Sequence, residues 1–416
     1  MGSRLIGLSI FVGFYLFIEI YSYYGLKNLF TQNKFFNLIY WAIAAVVLFG
    51  FIKVYYDFNS GAGQVRSVFS NILLGFGFSV MVAKFLFSGL LLTQDVVRIL
   101  IGIGKGTASL VTNVSDKPMI PSRRNFVTGI MASAVALPFA AMLYGITRGK
   151  YQYTVEKITL KFKDLPKAFD GFTIAQISDI HSGSFDSIEC VESGVEKLME
   201  QKPDLIAFTG DLVNSNKEEI NPFISTFAKL NAPFGKYSIT GNHDYYGMYR
   251  SRSEEGTQDV YWEDFIRKHE DMGFQLLNNT SQQISKNGET IRLVGVENWG
   301  AGPFPKKGDL NKALEGVNDD EFTVLLSHDP THWEQHALPN NKHIHLTMSG
   351  HTHGMQFGIN IPGFKWSPVK YRYKRWMGLY EELGQYLYVN RGFGFLGWPG
   401  RVGMTPEITI FELKTA

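Results

Sequence analysis

Four apolar runs in the first 150 residues, each about as long as a bilayer is thick, limit what this half of the chain can fold into. They cover 5–26, 35–55, 68–92 and 126–146, and a helix needs about 20 residues to cross a hydrocarbon core. No water in that core serves backbone N–H and C=O groups, so a single spanning run must be helical. The apolar character runs all round each helix, which argues against a coiled coil or an ordinary core helix. Pro138 stands inside the fourth run, where neighbouring helices can cover the kink it makes. Between the third and fourth runs, 96–111 is broken by Arg98 and Lys105 and reads as a separate amphipathic helix at the interface.

Four crossings put segments 26–34 and 93–125 on one side, with Lys27, Lys34, Arg98, Lys105, Lys117, Arg123 and Arg124. The other side receives Arg4, Lys53 and Arg66 before the second half begins. Seven cations against three make the first side cytoplasmic and place residues 151–416 outside the cytoplasm. Ser122-Arg-Arg-Asn-Phe126 also resembles an internal twin-arginine export signal, although the same two arginines serve equally well as a positive-inside anchor. No small-x-small cleavage site follows, so the segment is expected to be retained. Glu19 and Lys84 lie inside the first and third runs, at similar depths on helices running the same way. They can pair, or they can snorkel to the interface, which is the simpler account.

The second half alternates strand and helix patterns. A strand is expected at 158–162, and helices at Ile188, Val191, Val195 and Leu198, at Phe223, Phe227 and Leu230, and at Trp262, Phe265, Ile266 and His269. Hairpins are expected over 274–297 with Asn287-Gly288 as a turn, and closing strands at 387–390 and 407–413. This is an α/β pattern of two sheets with helices outside. Across 416 residues a net charge of +2 offers no electrostatic case for a nucleic-acid partner. The single cysteine, Cys190, excludes an intramolecular disulfide or a CxxC zinc site and reads as a packed helix residue.

Short motifs follow the apolar strands of this half: Asp179-Ile-His181 after 174–177, Gly210-Asp211 after 205–208, Gly241-Asn-His-Asp244 after 237–239, His328-Asp329 after 324–326, and Gly350-His-Thr-His-Gly354 after 344–348. Strand ends in a layered α/β fold converge on one edge, so donors remote in sequence can meet there. Carboxylate, imidazole and amide oxygen are the donors that recur, and they suit a pair of divalent cations about 4 Å apart with one bridging ligand. Asp211, after a glycine, is the natural bridge, and Asn242 offers a neutral oxygen. Asp179-x-His181 and His351-x-His353 each present two donors on one side of an extended segment. Such a pair of cations polarises a phosphoryl oxygen and activates water at neutral pH.

In this order the motifs resemble the calcineurin-like metallophosphoesterase superfamily over about 158–413, and the segments 350–356 and Asn390-Arg-Gly-Phe-Gly394 resemble its bacterial membrane-associated, exported members. The resemblance implies a four-layer α-β-β-α sandwich preceded by the helical membrane domain. It implies one metal held by Asp179, His181, Asp211 and His353, and another by Asp211, Asn242, His328 and His351. His243 would stabilise charge or protonate the leaving oxygen. The reaction implied is hydrolysis of a phosphoester or pyrophosphate bond, a diester in preference to a monoester. Mixed N/O ligands admit manganese, iron or zinc. Two positions depart from the family pattern: Asn214 stands where a carboxylate orients the histidine, and Met355 replaces a second glycine beside the groove.

Other residues carry weaker signals. His269, His332, His336, His343 and His345 read as ordinary surface or core histidines, and Asp244 and Asp329 as loop organisers. Arg391 can clamp a substrate phosphate or form a structural ion pair. Basic and aromatic residues alternate through 364–376, and 393–399 reads as an exposed apolar loop. Together they suggest a headgroup-level surface and a lipid or lipid-linked phosphoester. A membrane-tethered binding or sensor protein with a degenerate metal site is the competing reading; oligomeric state leaves no trace in the sequence.

Overall fold

The structure is a computed structural model describing residues 2–30, 32–59, 67–109, 121–250 and 257–416. It divides into two compact units, one built from the first four helices up to Tyr144 apart from the start of the third, the other holding that start, up to Asn71, and Gly145–Ala416.

The first unit comprises α1 (Gly2–Lys27), α2 (Phe36–Asn59), α3 (Val68–Ser109) and α4 (Pro121–Thr147). Stretches long and apolar enough to cross a bilayer are Ser9–Lys27, Phe36–Tyr56, Val68–Gly104 and Asn125–Thr147. The break expected between the third span and an interfacial helix is absent, because α3 runs on through both. Charge does not interrupt helical backbone, and Arg98 lies one turn from Asp95, 3.8 Å from its carboxylate. At about 1.5 Å per residue the apolar part of α3 measures roughly 55 Å, longer than the ~30 Å core. Glu19 and Lys84 do pair: Lys84 Nζ is 2.6 Å from Glu19 Oε2 and 4.2 Å from the centre of the Tyr40 ring. Snorkelling therefore does not describe Lys84. Arg66, Lys117 and residues 110–111 of the expected interfacial helix lie outside the described residues, as do the side chains of Arg4, Lys105, Arg123 and Arg124.

The second unit carries two six-stranded sheets. One runs β1 (Thr154–Phe162), β14 (Glu407–Thr415), β2 (Thr173–Ile177), β3 (Leu205–Phe208), β4 (Lys236–Ser238), β5 (Gln275–Leu276). The other runs β12 (Gly378–Glu382), β13 (Gln385–Val389), β9 (Leu346–Ser349), β8 (Thr323–Leu326), β7 (Glu289–Gly295), β6 (Thr280–Lys286). A separate hairpin pairs β10 (Ile359–Ile361) with β11 (Phe364–Trp366). Strands β2, β3 and β4 are mutually parallel, as are β7, β8 and β9.

Alternation along the strands builds the layers. Ile206 and Phe208 of β3 pack with Val191, Val195 and Leu198 of α5 (Ile188–Met199). Leu205 and Ala207 turn the other way, onto Val324, Leu326, Leu346 and Met348 of the second sheet. Leu325 of β8 joins a third core with Leu310, Trp333 and Ala337. Three cores between four layers make an α-β-β-α sandwich, and burial on both faces is why the central strands read as unbroken apolar runs. Asn287 (φ 49°) and Gly288 (φ 83°) join β6 to β7 as a two-residue turn. The helix expected at 223–230 shrinks to a 3₁₀ turn, Lys217–Phe223, and the short Ile224–Ala228, with Pro222 within the turn. The pattern around Trp262 forms α6 (Thr257–Asp271).

Candidate metal centre

Each expected ligand lies just beyond the carboxyl end of a parallel strand, and the two sheets bring these ends together. Asp179, His181 and His353 form one group of donors and Asp211, His328 and His351 another; within each, the donor atoms lie within 4.8 Å of one another. Asp211 Oδ2 is 3.1 Å from His328 Nε2 and 3.5 Å from His181 Nε2, so it faces both groups. His353 Nε2 is 3.1 Å from Asp179 Oδ1, and Asn242 Oδ1 is 2.8 Å from His351 Nδ1. All seven expected ligands are gathered here.

The backbone that does this is not extended, contrary to the alternation argument. Asp179 (φ 51°), His181 (49°), Asp211 (60°), His351 (71°) and His353 (52°) are all left-handed. That conformation costs an L-residue on the order of 1 kcal/mol, and a cluster of such residues marks a functional edge. Gly210 has its own role. Its φ of 92° and a Cβ position 2.6 Å from Gly241 N show that it lets two loops pack backbone to backbone.

The donors fit metal. His328 Nδ1 donates to the Thr209 carbonyl at 2.8 Å, which leaves Nε2 facing Asp211 as the nitrogen a cation would take. That buried Nε2 has no hydrogen-bond partner, nor has His181 Nδ1. Burial raises the Asp179 carboxyl, but His353 outweighs it and holds it well below the usual range. Against the same burial, His328 and His243 hold Asp211 low. Burial pushes His328 down, yet Asp211 draws it up to about 10. When bound, two divalent cations displace such protons, polarise a phosphoryl oxygen and acidify water.

His243 lies edge-on to His181, ring centres 4.9 Å apart. Its Nδ1 donates to the main-chain carbonyl of Asn214 at 2.8 Å, so a carbonyl does the orienting expected of a carboxylate. Asp244 accepts from the backbone N–H groups of Asp211, Leu212, Val213 and Gly241 and ties the two ligand loops together. Asp329 caps its own turn through Thr331 and approaches His351 Nε2 at 3.4 Å.

Several readings change. Arg391 is not available as a phosphate clamp: it is buried, with its guanidinium held by Glu407, Glu156 and Thr154. The structural ion pair weighed beside that role is what forms. Phe393, Phe395 and Pro399 are buried, so 393–399 is no exposed apolar loop. Its backbone instead braces the first expected ligand, with Phe393 N donating to Ser178 O at 2.7 Å and Gly394 N to Asp179 O at 2.9 Å. In 364–376, Trp376 is buried and Arg375 pairs with Glu334 and Glu382. Met355 points outward.

Two residues to which the sequence assigned no place at the metal centre matter here. Tyr373 places its hydroxyl 2.7 Å from His351 Nε2. Buried Arg401 donates to the carbonyls of Arg391, Gly392, Gly394 and Met404, and its Nη2 lies 3.3 Å from His353 Nδ1. Neither sits in a strand-end motif, so spacing gave no signal for them.

Comparison with known proteins agrees with this geometry. Residues 3–150 match the model of the probable calcineurin-like phosphoesterase transmembrane domain, and residues 172–355 that of the calcineurin-like phosphoesterases. The metallophosphoesterase YkuE of Bacillus subtilis is 32% identical over 305 residues, covering 71% of this chain and 98% of its own. A transmembrane protein with metallophosphoesterase domain from Danio rerio is 30% identical over 294 residues, covering 68% of this chain and 63% of its own. The UDP-2,3-diacylglucosamine pyrophosphatase LpxG of Chlamydia trachomatis is 29% identical over 333 residues, covering 68% of this chain and 97% of its own. The chain belongs to the calcineurin-like metallophosphoesterases, as a membrane-anchored, metal-dependent phosphoester hydrolase.

Proposed function

We propose that this hydrolase cleaves a phosphodiester or pyrophosphate bond in a lipid-linked substrate, with its active site outside the cytoplasm. The observation that carries the chemistry is the pair of donor groups meeting across Asp211, with His243 beside them. Asp179, His181, Asp211 and His353 would hold one cation, and Asp211, Asn242, His328 and His351 the other. A water oxygen bonds to phosphorus, the bond to the leaving oxygen breaks, and His243 supplies that oxygen with a proton.

The lipid part rests on two supports. One is the similarity to LpxG, whose name gives a diacylated sugar nucleotide as substrate. The other is the hairpin β10–β11. Its register pairs Ile361 with Phe364 and Ile359 with Trp366, so all four share one face. Ile359, Ile361 and Phe364 are 44%, 55% and 51% exposed, and Lys365, Lys370 and Lys374 are exposed nearby in sequence, a composition suited to an anionic headgroup layer. The excess of cations on the opposite loops supports the extracytoplasmic side.

The test uses the full chain, metal-reconstituted in anionic nanodiscs, on bis-p-nitrophenyl phosphate and on UDP-2,3-diacylglucosamine. Wild type should cleave both and Asp211→Asn neither, whereas Ile361→Glu with Phe364→Glu should impair only the lipid substrate. A wild type inert on both phosphoesters would leave the tethered binding protein as the better reading. Equal loss on both by the hairpin variant would remove the lipid-facing role.

A further inference from the structure

We propose that Arg372, next to Tyr373 on one arm of the chain, forms a subsite for the phosphoryl group that is not attacked, which makes a pyrophosphate diester the preferred substrate class. This rests on the hydrolase reading above and adds a residue to it. The arm between β11 and β12 is strapped to the His351–Gly354 motif at both ends. Ser367 Oγ donates to the Gly354 carbonyl at 2.7 Å, and Thr352 Oγ1 to the Trp376 carbonyl at 2.7 Å. Between these straps Tyr373 reaches His351 Nε2 at 2.7 Å. His351 is thus flanked by two rings set nearly perpendicular to it, Tyr373 with centres 5.4 Å apart and Phe304 at 4.9 Å.

Arg372 sits on this arm directly before Tyr373. Its Nη2 would lie 3.3 Å from a Cβ at Gly302, a position whose nearest neighbour is the Phe304 ring at 2.8 Å, so the guanidinium passes beside the loop that carries Phe304. The other arginines around the site are occupied. Arg375 pairs with Glu334 and Glu382 and covers the Trp333 ring. Arg391 pairs with Glu407 and Glu156, and Arg401 is closed in by four carbonyls. Arg372 is exposed and, among the described residues, forms no ion pair with a carboxylate. An arginine fork beside the Phe304 ring that packs on His351 matches two oxygens of a second phosphate. A substrate with a single phosphoryl group leaves that fork empty.

Arg372→Ala and Arg372→Lys, made in the full chain in nanodiscs, test this on the same two probes. For UDP-2,3-diacylglucosamine, Arg372→Ala should raise KM about 10- to 100-fold, as loss of charge-assisted hydrogen bonds predicts, with kcat little changed and Arg372→Lys intermediate. For bis-p-nitrophenyl phosphate it should leave KM within about twofold. Tyr373→Phe should instead lower kcat on both probes, since it acts through His351. Equal losses on both probes for Arg372→Ala would overturn the subsite, as would a wild type that cleaves only the single-phosphoryl probe. A wild type that cleaves neither would overturn the hydrolase reading itself.

Discussion

His243 can offer one ring nitrogen to a leaving group because the other is tied to the Asn214 carbonyl, 2.8 Å away. A carbonyl fixes the tautomer and the ring angle as a carboxylate would, and it belongs to the main chain, so the residue type at 214 matters little. Asn214→Ala should therefore keep kcat within about twofold, whereas His243→Gln should lower it about 10²- to 10⁴-fold. Steady-state kinetics with metal content measured on the same samples checks both, and content should stay at the wild-type value. A loss in Asn214→Ala as large as that in His243→Gln would show the side chain to be the partner. The His243 N–H donates to Asp211 Oδ1 at 2.8 Å from the backbone, so replacing the ring leaves that support of the bridging carboxylate in place.

At the scale of elements, α1 and α3 are joined by one buried ion pair inside an apolar bundle. The Tyr40 hydroxyl donates to the Glu19 carbonyl at 2.7 Å and the Ser22 hydroxyl to that of Lys84 at 3.3 Å, so the pair sits within a small polar network. Removing one partner strands the other charge, which costs about 3–5 kcal/mol, while removing both costs far less. Lys84→Met should lower the thermal midpoint of the purified full chain in detergent, and Glu19→Gln added to it should restore much of the loss. Additive losses in the double variant would mean that the two charges act independently.

Over the whole molecule, buried histidines set the pH range in which the catalytic unit is stable. Burial pushes His269 and His332 down to about 3. Unfolded, each takes a proton near pH 6.5, so the stability they confer is full above that pH and lost as pH falls toward 3. At pH 5.5 this amounts to about 1.4 kcal/mol for each. His328, raised to about 10, works the other way in chelated protein: its contribution is full below pH 6.5 and lost as pH rises through 10. Chelated protein should have its highest Tm near pH 6.5, and saturating manganese or zinc should remove the alkaline decline, because the cation takes the proton's place. Scanning calorimetry across pH 5–10 would contradict this if both forms declined alike above pH 7. The spans, the order of the motifs and the donor set of the metal centre were determined by the sequence alone, since segment length, apolar runs and ligand chemistry are local properties. Tertiary structure alone decided that α3 runs unbroken, that Arg391 is locked in an ion pair, that a carbonyl serves His243, and that a distant arm delivers Tyr373 to His351. Each of these depends on which remote segments the two sheets press together, and no periodicity within a short stretch of chain encodes that.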